Sequence, residues 1–136
     1  MTKVENPHQM KSLALAYMGD TIHDLYVREH LLRKGTVQPQ RLHQSAVRFV
    51  SAEAQAFVAR EWKDRGLLGE KETAVFRRGR NAKSGSIPKS TDVLTYRFAT
   101  AFEAVLGYLY LAEEEQRLSE LMTDAIRRIE EKEGSK

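Results

Sequence analysis

The sequence predicts an all-α fold, and three observations carry that prediction. Apolar residues recur three and four positions apart over long stretches, the spacing of one helix face. Only three prolines occur, Pro7, Pro39 and Pro88, and they fall between those stretches rather than inside them. No segment alternates apolar and polar residues as a half-buried strand does.

Leu15, Met18, Ile22 and Leu25 form one stripe that Leu32 extends, which predicts a helix over residues 9–34. Lys34-Gly35 closes it with a basic last turn and a glycine C-cap. Gln38-Pro39 opens a second helix, because proline suits the first helical position. Val47, Val50, Ala54, Phe57, Val58 and Trp62 carry its buried face to Lys63, and Arg65-Gly66 ends it. A short third helix spans residues 70–80. Residues 81–91, rich in Gly, Ser and Pro, read as a loop. Ser90 or Thr91 is placed to cap the next helix, which runs to Ala112 through Leu94, Phe98, Phe102, Val105, Leu109 and Tyr110. A last helix covers residues 114–131. With no internal repeat and no linker, residues 1–136 read as one domain.

Composition removes several function classes. The chain has 41% hydrophobic and 30% charged residues, a globular balance. It has no cysteine, which excludes disulfides, thiolate nucleophiles and cysteine zinc sites and suits a reducing compartment. The longest uncharged stretch, Ala104 to Ala112, is far too short to span a membrane. No apolar segment follows the start as in a signal peptide, so a soluble cytoplasmic protein is expected. Phosphate-loop, nucleophile-elbow and His-Glu-x-x-His motifs are all absent.

Two carboxylates stand in apolar surroundings. Asp20 is the only charged residue from Ser12 to Ile22, and Glu103 the only one from Phe98 to Ala112. An ionised carboxylate in such a setting must find a partner, lose its charge or face water. Each has a glycine close by, Gly19 and Gly107, and a helical glycine costs about 1 kcal/mol unless a second helix approaches closely there. Two helices crossing at those glycines would bring the acids together as an oxygen site for a hard divalent cation. The residues alone leave the ordinary alternative open, in which each acid faces solvent or pairs with Arg97 or Arg28. His23 and Asp24 share a face with Asp20 and are expected to be a surface hydrogen-bonding pair rather than ligands.

The net charge is only +3, but it is segregated. Residues 77–97 hold six bases, Arg77, Arg78, Arg80, Lys83, Lys89 and Arg97, against Asp92, whereas the stretch from Glu113 onward holds eight acids and five bases. Arginine and lysine on a Gly/Ser loop suit a phosphate backbone, and the absence of aromatic residues in that loop favours a duplex over single strands. A merely solvated basic loop fits the charge pattern equally well.

Tyr17-Met18-Gly19-Asp20 followed by Ile22 and Leu25 resembles the signature helix of ribonuclease III catalytic domains. Ala101-Phe102-Glu103-Ala104-Val105-Leu106-Gly107 resembles their second acidic helix. The length, the order of the motifs and the basic loop between them resemble the Mini-III branch, a ribonuclease III catalytic domain without a double-stranded-RNA-binding domain. The likeness covers about residues 8–130.

The resemblance implies an all-helical, two-fold homodimer that cuts both strands of an RNA duplex with Mg²⁺, for which Mn²⁺ can substitute. It implies that Asp20 and Glu103 are the catalytic, metal-binding acids. Arg77, Arg78, Arg80, Lys83 and Lys89 would then hold the duplex. Larger family members place a glutamate four residues before the first acid and an aspartate three before the second. Here those positions are Ala16 and Thr100, a reduction the Mini-III branch shares. It fits one firmly held Mg²⁺, with Thr100 at a metal-bound water. The implied substrate is the 23S ribosomal RNA precursor, presented by a large-subunit ribosomal protein. The rival reading is a non-catalytic helical module that binds double-stranded RNA.

Overall fold

The computed structural model describes residues 1–83, 87, 89 and 91–134. Six α-helices follow a 3₁₀ turn at Pro7–Gln9: α1 (Ser12–Arg33), α2 (Pro39–Val50), α3 (Ala52–Asp64), α4 (Glu70–Asn81), α5 (Val93–Leu111) and α6 (Glu115–Gly134). Among the described residues there is no strand, as expected.

α5 is the axis of the molecule, with α1, α3, α4 and α6 packed around it. Its sequence explains that place, because it is apolar on all sides and such a helix is stable only when covered. Every residue from Phe98 to Leu109 is buried except Glu103, which is partly so. Trp62 of α3 stacks on Phe102 and donates through Nε1 to Asp124 Oδ2 of α6 at 2.7 Å, which ties three helices at one point. Arg128 secures the same corner, reaching Asp124 at 2.8 Å and Glu61 at 3.2 Å.

Four expectations change. The helix predicted over residues 38–63 is two helices, broken at Ser51, whose extended backbone (φ −63°, ψ 154°) and side chain, accepting from the Ala54 N–H, cap α3. Asp92 rather than Thr91 caps α5, accepting from Thr95 N at 2.9 Å and Thr95 Oγ1 at 2.8 Å; Ser90 lies outside the described residues. The buried face of α1 runs through Leu15, Ala16, Gly19, Ile22, His23, Val27 and Leu31, leaving Leu25 and Leu32 more than half exposed at 56% and 53%. Val47, Leu94 and Tyr110, expected on buried faces, are also exposed. The expected C-caps hold: Gly35 (φ 96°) and Gly66 (φ 62°) adopt the left-handed conformation after α1 and α3.

No described helix is long and apolar enough to cross a membrane.

Candidate active site

α1 and α5 cross in backbone contact. A Cβ built on Gly19 would fall inside the van der Waals envelope of the Glu103 carbonyl oxygen, and one on Gly107 inside that of Leu15. The two glycines therefore permit an approach that any side chain would block. This is the crossing the sequence anticipated, and it brings Asp20 and Glu103 together.

The two acids meet in unequal surroundings. Asp20 lies on the exposed side of α1, whereas Glu103 projects from the buried axis helix. Burial pushes the Glu103 carboxyl up to about 8, and a hydrogen bond with Asp20 and the charge of that neighbour push the same way. A hydrogen bond from Gln55 acts against them. Among the described residues, the ion pairs leave these two acids to each other: Arg28, one expected partner, is bound to Asp24 at 2.9 Å, and Arg97 forms none of those pairs.

His23 overturns its expected surface position. It is 1% exposed, lies edge-on to Phe102, and its Nδ1 is 3.0 Å from Gln55 Nε2. Burial lowers its pKa to about 4, against the opposing charges of Asp20 and Asp24, so the ring is neutral near pH 7. Gln55 was not singled out from the sequence. It sits three, four and seven residues before Val58, Ala59 and Trp62, so its place on the buried face was readable from spacing. Gln55 Nε2 also lies 3.4 Å from Glu103 Oε2.

Ala16 on α1 and Thr100 on α5 are both buried, and the Thr100 hydroxyl donates to the Tyr96 carbonyl at 3.0 Å. Its proton is thus committed to the helix backbone, while its lone pairs remain available as acceptors.

The basic residues divide. Arg77 and Arg78 are exposed on α4, but the Arg78 guanidinium donates to the His8 carbonyl, so it anchors the N-terminal turn. Arg77 and Arg80, with Lys63, line a hollow of about 210 Å³ between α3 and α4. Lys83 and Lys89 are exposed, and residues 84–86, 88 and 90 of the expected loop lie outside the described residues.

The family model of the ribonuclease III domain matches residues 13–114, a span that contains both acids and the basic helix. The Mini-ribonuclease 3 of Enterococcus faecalis is 43% identical over 123 residues, covering 90% of this chain and 93% of that one. That of Brevibacillus brevis is 46% identical over 125 residues, covering 92% of each. The chain belongs to the Mini-ribonuclease 3 family. A crystal structure of a protein from Fusobacterium nucleatum has a TM-score of 0.77 at 28% identity, covering 88% of this chain and 93% of that one.

As a Mini-ribonuclease 3 the protein is an endoribonuclease, a hydrolase of the ribonuclease III family. That family typically uses Mg²⁺, and the donor set suits a hard cation. Two neighbouring carboxylates present oxygen ligands, and a divalent ion would offset the charge that Asp20 places beside Glu103. Among the described residues no group of three or more His, Cys, Asp or Glu gathers to hold a metal. An ion here would therefore keep several waters, as Mg²⁺ commonly does.

Proposed function

We propose that this Mini-ribonuclease 3 cuts double-stranded RNA in a Mg²⁺-dependent reaction, with Asp20 and Glu103 as its catalytic, metal-binding pair. The observation that carries this reading is the meeting of the two acids at the Gly19–Gly107 crossing.

When bound, Mg²⁺ supplies Lewis-acid activation of water and neutralises charge on the reacting phosphate. The chain's residues do the rest. Asp20 presents its carboxylate at the surface, where a duplex can reach it, and Glu103 backs it from the core. Backbone contact between α1 and α5 fixes their separation, the rigidity a site needs. Thr100 Oγ1, with its proton given to Tyr96, can accept a hydrogen bond from water near Glu103. Arg77, Arg80, Lys83 and Lys89 grip phosphates, reading shape rather than sequence. Arg78 contributes charge from its anchored position.

The protein acts as a single catalytic domain that pairs with a second copy about a two-fold axis, which places one site on each strand. Exposed Leu25 and Leu32 on α1, beside the groove lined by Pro39, Leu42 and Ala46, support such an interface. The substrate that the family resemblance implies is the 23S ribosomal RNA precursor in the cytoplasm, with a large-subunit ribosomal protein presenting the RNA. A chain without cysteine fits that compartment.

The test is cleavage of a long RNA duplex and of its separated strands, with Mg²⁺, Mn²⁺ or EDTA. Cutting of the duplex alone, abolished by EDTA, is expected. Salt-dependent binding without cleavage over several duplexes would leave the RNA-binding module instead.

A further inference from the structure

α3 also reaches the acid pair, through Gln55. Gln55 is 4% exposed, and its side-chain nitrogen faces two acceptors, His23 Nδ1 at 3.0 Å and Glu103 Oε2 at 3.4 Å. An amide nitrogen carries two hydrogens, so it can donate one to each. That arrangement requires a lone pair on His23 Nδ1 and hence a proton on Nε2. The Nε2 atom is buried without any hydrogen-bond partner among the described residues. Leaving a donor unpaired in the core is unfavourable, and such exceptions in native folds call for an explanation.

We propose that Gln55 is a positioning residue for the metal site, its amide aimed at Glu103 by the buried His23. The break at Ser51 is part of the device. By capping α3 separately from α2, it sets the direction in which Gln55, four residues later, enters the α1–α5 crossing. A neutral donor in that place orients the Glu103 carboxylate without adding a third negative charge. Because no third acid, histidine or cysteine gathers with this pair among the described residues, the two ligands depend more heavily on such support.

The inference rests on the reading of Asp20 and Glu103 as metal ligands, and the experiment separates the two. Mn²⁺ is titrated into the full-length protein without RNA, and free ion is counted by electron paramagnetic resonance. Wild type, Gln55→Met, His23→Leu and the double variant are compared, with thermal melting of each metal-free protein. Gln55→Met is expected to weaken Mn²⁺ binding about tenfold while leaving RNA affinity in Ca²⁺ unchanged. His23→Leu is expected to weaken it in the wild-type background but not further in Gln55→Met. A merely structural pair would instead lower melting temperatures and leave Mn²⁺ affinity alone. If Gln55→Met does not fold, Gln55→Leu carries the same comparison. Wild-type binding matched within twofold by the folded Gln55 variant overturns this inference alone. No Mn²⁺ binding by the wild type overturns the metal-site reading and the inference with it.

Discussion

Gly19→Ala puts the helix crossing under direct strain. Alanine should stabilise α1 by about 1 kcal/mol through helix propensity. Its methyl group, however, would land on the Glu103 carbonyl oxygen, and backbone cannot rotate aside as a side chain can. The helices must part by on the order of 1 Å to restore ordinary contact. Overpacking of this kind costs roughly 3 kcal/mol, at the upper end of its usual range, because the obstacle is main chain. The net loss is about 2 kcal/mol, or a fall in melting temperature of roughly 6–10 °C for a chain of this size. Urea denaturation followed by circular dichroism reads it, with Gly134→Ala, where a Cβ meets nothing, as the control. Parting the helices also separates Asp20 from Glu103, so cleavage should fall more steeply than stability. A Gly19→Ala protein as stable as wild type, with full activity, would refute the reasoning.

The pH dependence of the metal-free protein has a definite sign. Glu103 is raised in the fold to about 8 from its ordinary 4.5, so it contributes stability that is lost as pH rises through that window. His23, lowered from 6.5 to about 4, contributes the opposite slope below 6.5. Their slopes oppose one another up to pH 6.5, and above it Glu103 alone should cost about 2 kcal/mol by pH 8; Glu103→Gln, melted at pH 6.5 and 8, should lose that decline. Alanine at Arg77, Arg80, Lys83 or Lys89 should weaken binding of any duplex and reduce the salt slope by about 1 each, as a salt series of binding curves would show. Arg78→Ala should instead cost about 1 kcal/mol of stability through its lost bond to His8, read by thermal melting. Leu25→Asp with Leu32→Asp should yield monomers by sedimentation and lose coupled cutting of both strands.

What the sequence made legible is the framework that packing and backbone chemistry dictate locally. Asp20 and Glu103 were conspicuous as lone charges in apolar runs, and Gly19 and Gly107 betrayed the close approach because a helical glycine needs a reason. The errors come from tertiary context. Leu25 and Leu32 repeat at helical spacing yet flank the true contact face, which is set by small and polar residues, Ala16, Gly19 and His23, that a hydrophobic stripe overlooks. Ser51 breaks a continuous apolar pattern through a cap, a local hydrogen bond that periodicity does not register. Asp92 outcompetes Thr91 because its carboxylate takes both the Thr95 N–H and hydroxyl. Gln55 shares the spacing of the buried α3 face, whereas His23 shows its burial only once α1 and α3 are brought together and Gln55 meets its Nδ1.

The most direct measurement is cleavage of an RNA duplex in Mg²⁺ by Asp20→Asn and Glu103→Gln beside the wild type, with binding followed in Ca²⁺. Either change is expected to remove turnover, while duplex affinity stays within a few-fold of wild type. Undiminished cleavage by either variant would show that Asp20 and Glu103 are not the catalytic pair.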